Sequence, residues 1–207
     1  AVGAAWLTAA AEASGVVTGA GLGSAAASWD GVLVVVLPST PDAFRRVSGL
    51  DSATAAATQA AAVMAASDSA PRIVGNTATT SGLDAAGLRT VLVHEGVHVA
   101  LRSAVSNAPL WASEGIAESV AEASDPGTRE RNAALVAAAP RPSALPSAAD
   151  LAGPDAPTAY ALASVAVDAA IARWGRPAVM SWLADWAVPT RPTDAELTAA
   201  YLAALPG

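Results

Sequence analysis

The chain's only two histidines, His94 and His98, flank Glu95 inside an otherwise apolar run, Val91-Leu92-Val93-His94-Glu95-Gly96-Val97-His98-Val99-Ala100-Leu101. Residues four apart on an α-helix lie one above the other on the same face. A helix through this run therefore aims both imidazoles at one point. Glu95 lies about a quarter turn further round, where it reaches a water on a bound ion rather than the ion itself. The pattern H-E-x-x-H is the one expected where two histidines hold zinc and the glutamate acts as general base. At this chain's His and Glu frequencies, chance would place it in roughly one sequence of this length in a thousand.

A catalytic zinc takes three protein ligands and keeps one position for water. The chain has no cysteine, so sulfur ligation is excluded and the carboxylates that follow are the candidates. The segment Pro109-Leu110-Trp111-Ala112-Ser113-Glu114-Gly115-Ile116-Ala117-Glu118-Ser119-Val120 places Glu114 and Glu118 on one face of a second helix. Ile116, Ala117, Val120 and Ala121 offer that helix an apolar face. An antiparallel pair of helices joined by a short turn would set Glu114 opposite the histidines.

These residues together, H-E-x-x-H followed by W-x-x-E-G-x-A-E, resemble the gluzincin metallopeptidases, and within them small single-domain bacterial peptidase-like proteins. The resemblance covers residues 72–122. It implies Zn²⁺ as cofactor, with Glu114 as third ligand beside His94 and His98. It also implies that Glu118 supports a histidine ligand from behind, fixing its tautomer. In this group an edge strand just before the metal-site helix pairs with the extended substrate, and the likeness places that role on Ile73, Val74, Gly75 and Asn76. Zinc peptidases commonly stabilise the oxyanion with a Tyr or His donor. No histidine remains, so Tyr160 takes that place by elimination and by a loose likeness to a helix that follows the E-G segment in related proteins. Gly96 departs from the group, standing where a bulky apolar residue is usual. A helical glycine costs about 1 kcal/mol relative to alanine, and its expected reason is close packing against another element. The interval from His98 to Glu114 is also short for the group.

The implied fold is α+β and zincin-like. A small, mostly antiparallel or mixed sheet with the active-site helix occupies residues 1–105, and a helical lobe occupies residues 106–207, as one peptidase domain. Local signals agree in part. Asp30-Gly31 before Val32-Leu33-Val34-Val35-Val36-Leu37 marks a buried strand closed by Pro38. Thr40-Pro41-Asp42 opens a helix with Thr40 as N-cap and Pro41 in its first turn. Helices are expected over 4–13, 83–103, 110–123, 158–174, 177–186 and 194–204. Residues 15–28, rich in glycine, are expected as a loop. The stretch 53–66 is ambiguous: alanine favours helix, while the family likeness favours a strand over 60–66 hairpinned onto 72–76. Residues 126–157, with six prolines, are expected to form a surface loop around a short helical piece at 128–138.

Net charge is −7, and all 11 basic residues are arginines without a cluster, which argues against nucleic acid or an anionic membrane as partner. The long uncharged runs are Ala, Gly, Ser and Thr, too weakly apolar for a membrane span. The chain begins at Ala1 with neither Met nor a signal sequence, as expected of a processed chain, and a secreted or cell-envelope protein is favoured over a cytoplasmic one. The expected activity is zinc-dependent hydrolysis of peptide or protein substrates by a monomer, with a zinc-stabilised, catalytically weak binding domain as the alternative.

Overall fold

The computed structural model describes residues 2–63, 71–101 and 107–206, which form two compact units. The first comprises Ala1–Ala20 and Ser28–Arg102, the second Gly21–Ala27 and Ser103–Gly207. The fold class is mixed helix and sheet, mostly helical with one three-stranded sheet.

The first unit begins with α1 (Val2–Gly19), whose Trp6, Ala9, Ala10, Ala13 and Val17 are buried. The expected loop at Gly15 is absent, and the helix runs on to Gly19. The reason is tertiary: α1 packs along α4 (Ala85–Leu101), and burying Ala13 and Val17 offsets the intrinsic cost of a helical glycine. Where α1 passes α4, a Cβ on Gly96 would lie 3.1 Å from Val17 Cγ2 and 3.3 Å from Leu33 Cδ1. Gly96 thus marks the close approach expected of it.

β1 is only Val35–Val36, shorter than the expected strand over 32–37, and it lies half-buried at the sheet edge rather than in the core. Asp30 Oδ1 accepts from Val32 N at 3.1 Å, so a turn still grips the residues before the strand. Thr40 caps α2 (Pro41–Ser48), its side chain accepting from Ala43 N, and Gly49 ends that helix at φ 74°. The stretch 53–66 resolves into both alternatives. α3 (Ser52–Ala57) is capped by Asp51, and β2 (Ala60–Val63) pairs antiparallel with β3 (Arg72–Gly75). The remainder of the expected strand and its hairpin turn, 64–70, lies outside the described residues. Sheet order is β1-β3-β2, with β1 and β3 parallel. Phe44, Ala55 and Val74 form a core beneath it, with Leu50 and Val63 packed against them.

In the second unit α5 (Leu110–Ser124) and α6 (Pro126–Ala138) pack with α8 (Ala156–Trp174), which also carries α7 (Ala148–Leu151), α9 (Arg176–Ala184) and α10 (Asp194–Ala204). α6 starts at Pro126 because Asp125 caps it and proline suits the first helical position. Ser147 with Asp150, and Thr193 with Glu196, form reciprocal capping boxes at the starts of α7 and α10. No helix among the described residues is long and apolar enough to cross a membrane.

Candidate metal centre

Asp84 opens α4, its Oδ1 accepting from Gly87 N at 2.8 Å. The helix is apolar on nearly every side: Leu88, Leu92, Val93, Val97, Val99, Ala100 and Leu101 are all buried. His94, Glu95 and His98 are only half-buried. The one-turn spacing brings the two rings together as anticipated. Nε2 of His94 and Nε2 of His98 are 3.2 Å apart, with ring centroids at 4.9 Å and planes inclined by 70°. Two nitrogens on one tetrahedral zinc, each about 2.0–2.1 Å from it, stand about 3.3–3.4 Å apart. The pair is therefore already at ligand spacing. The same distance lets one ring donate an N–H to the other when they hold opposite tautomers.

Glu95 Oε2 accepts a 2.7 Å hydrogen bond from Ala62 N. Ala62 stands opposite Ile73 in the β2–β3 ladder, yet Ile73 N donates to Val34 O across β1. The Ala62 N–H accordingly points off the open edge of β2 and fixes the Glu95 carboxylate beside its helix. This partner was not foreseen, because no local pattern tells which N–H of an edge strand will meet a side chain 33 positions later.

The substrate-strand expectation for Ile73, Val74, Gly75 and Asn76 needs correction. β3 is the middle strand, bounded by β1 on one side and β2 on the other. Ile73 and Val74 are fully buried, and a Cβ on Gly75 would strike the Trp6 indole and come within 2.8 Å of Leu37 Cδ2. Asn76 is structural: its Nδ2 donates to Ala55 O and to Thr58 O, each at 3.0 Å. No edge remains there for an added strand. The edges are β1 and β2.

Within the second unit, α5 carries Glu114 and Glu118 half-buried, with buried Trp111, Ala112, Ser113, Gly115, Ile116 and Ala117 around Glu114. Glu118 Oε1 accepts from Asn132 Nδ2 at 2.6 Å. One turn on, Glu122 Oε1 accepts from Asn132 Nδ2 at 2.7 Å and from Ser164 Oγ at 2.7 Å. Burial pushes the Glu122 carboxyl above its ordinary range, with lesser help from the Glu118 and Asp168 charges and against the hydrogen bonds of Asn132 and Ser164. Tyr160 is half-buried in the second turn of α8. Glu122 continues the four-residue stripe begun by Glu114 and Glu118, a signal visible in the sequence. Asn132, on another helix, left no such trace.

Compared with protein-family models, with curated proteins and with solved structures, the chain matches none.

Proposed function

We propose that the chain binds one zinc ion through His94, His98 and Glu114 and hydrolyses peptide bonds, as a gluzincin-like metallopeptidase. The observation that carries this reading is the His94–His98 pair at zinc-ligand spacing, with an acidic side chain on the adjoining helical position. Among the described residues, His94, His98 and Glu114 are a group of side chains that could hold a metal ion. Two imidazoles and one carboxylate form the donor set of a catalytic zinc with an open position.

Zinc held there would lower the pKa of a bound water towards 7 and polarise the scissile carbonyl. Glu95 is the residue that would accept a proton from the attacking water and pass it to the leaving amine nitrogen. The Ala62 N–H holds one Glu95 oxygen at 2.7 Å and so fixes the carboxylate beside its helix. Tyr160 is the proposed donor to the developing oxyanion, and Glu118 the carboxylate that orients a histidine.

A second reading, a zinc-stabilised domain with little activity, draws on that same bond, which gives Glu95 a structural partner independent of catalysis. Elemental analysis of protein purified without added metal tests the centre, and one zinc per chain, lost in His94→Ala, is expected. Glu95→Gln separates the two readings. Its amide oxygen can still accept from Ala62 N–H, so fold and zinc should persist while cleavage of a peptide library falls by at least about 10²-fold. Equal cleavage by wild type and Glu95→Gln would refute the peptidase. Zinc without any cleavage favours the binding domain.

A further inference from the structure

The connections on either side of α7 carry Pro140, Pro142, Pro146 and Pro154, a stretch the metal centre does not use. With Leu162 of α8 these prolines wall a cavity of about 330 Å³. That volume suits a small molecule, and so does the lining, which is mainly apolar with a few polar groups. A proline has a fixed φ and no N–H, so this wall asks for no hydrogen bonds and needs little ordering when something enters. Arg141, set between two of the prolines, is tied to the end of α10. Its Nη1 donates to Pro206 O at 2.8 Å and its Nη2 to Leu202 O at 3.0 Å. The bonds clamp the loop in place.

The charged residues in the lining are Asp150 and Asp155, both exposed, and no arginine is among them. Asp150 Oδ2 accepts from Ser147 Oγ at 2.6 Å and from Ser147 N at 2.8 Å. The Ser147 hydroxyl, and then its N–H, hold the Asp150 carboxyl below the usual carboxylate range. Asp155 Oδ1 accepts from Thr158 Oγ1 at 2.8 Å. A carboxylate has two oxygens with about four acceptor positions, so these bonds orient each aspartate and still let it meet a cation. A negative mouth without a positive partner attracts an ammonium and repels an anion.

Tyr201 of α10 also lines the cavity. It is fully buried, and its hydroxyl has no hydrogen-bond partner among the described residues. Buried polar groups are normally paired. An unpaired hydroxyl on a cavity-lining residue is a position that an occupant can satisfy.

We propose that this cavity binds a small organic cation, an amine on a compact apolar body. Asp150 and Asp155 hold the ammonium at the exposed mouth, the prolines and Leu162 enclose the body, and a polar atom of the same molecule pairs with the Tyr201 hydroxyl. Every residue of the site belongs to the second unit, so the site is independent of the metal centre.

The test is titration of the full chain with tyramine, which has an ammonium, an aromatic body and a hydroxyl, followed by ¹⁵N–¹H NMR. The probe 4-ethylphenol has the same body without the charge. Tyramine should saturate one site with a Kd below about 10 mM, with shifts centred on residues 139–159 and 201. 4-Ethylphenol should bind at least about tenfold more weakly. Asp150→Asn and Asp155→Asn keep the local acceptors and remove the charge. Each should weaken tyramine about tenfold, as expected for loss of a charge-assisted hydrogen bond, and leave 4-ethylphenol unchanged. Tyr201→Phe should weaken both probes alike, about fivefold. Leu162→Trp should fill the cavity and exclude both; if it does not fold, the aspartate and tyrosine variants decide. Tyramine shifts that never saturate, or that persist unaltered in both aspartate variants, would overturn the proposal. Equal affinity for 4-ethylphenol would mean a neutral occupant and overturn the cation. Shifts of the same residues on raising protein concentration alone would place a second copy of the chain there, and that too would overturn it.

Discussion

Gly115 immediately follows Glu114, and substituting it probes the packing that holds α5 in the second unit. A Cβ on Gly115 would lie 2.7 Å from Val167 Cγ2 and 2.8 Å from the carbonyl carbon of Ala163, and closer still to the Ala163 carbonyl oxygen. Ordinary contact begins near 3.4 Å, so α5 and α8 would have to separate by about 0.6 Å at the carbonyl carbon alone. Two of the three obstacles are backbone atoms of a helix, which cannot rotate aside. Overpacking a core costs typically 1–3 kcal/mol, and a backbone obstacle belongs at about 3. Alanine recovers about 1 kcal/mol of helix propensity. Gly115→Ala should therefore destabilise by about 2 kcal/mol, lowering the unfolding temperature by about 4–8 °C in a chain of this size. Two other helical glycines are controls. Gly15 in α1 has nothing within 4 Å of where a Cβ would stand, so Gly15→Ala should gain about 1 kcal/mol. Gly96 would meet only side-chain methyls, at 3.1–3.5 Å, and Gly96→Ala should fall between. Thermal and urea unfolding followed by circular dichroism gives all three. A Gly115→Ala protein as stable as wild type would refute the close α5–α8 contact.

Tyr201 is fully buried, and its hydroxyl has no hydrogen-bond partner among the described residues. Tyr201→Phe should stabilise by about 1 kcal/mol in urea unfolding, because an orphaned buried hydroxyl is a cost. Burial also raises the Tyr201 pKa from 10.0 to about 12. Its contribution is then intact below pH 10 and lost as pH rises through about 12, a loss that the phenylalanine variant should not show. The Glu122 carboxyl is likewise raised from its ordinary 4.5 by burial. Its contribution is complete below pH 4.5 and lost as pH rises through the folded value, so Glu122→Gln should flatten that part of a stability–pH profile. Zinc at a hundred times its Kd should stabilise the protein by about 2.7 kcal/mol. A chelator should reverse this in wild type and have no effect on His94→Ala.

What the sequence determined by itself is local. His94 and His98 four apart in an apolar run needed only a helix to bring their nitrogens to 3.2 Å, and the 3.6-residue period makes that outcome independent of the rest of the chain. Thr40-Pro41 and Thr193 with Glu196 mark helix starts by bonds that close within three residues. What tertiary structure decided is non-local. α1 continues through Gly15 because Ala13 and Val17 find α4 to pack against. β3 became the middle strand, and lost its expected place at the edge, because β1 pairs with it in parallel from some 38 positions earlier. Ala62 reaches Glu95, and Asn132 reaches Glu118 and Glu122, across separate elements. Strand order and buried polar pairing depend on which surfaces meet, and no periodicity along the chain records that.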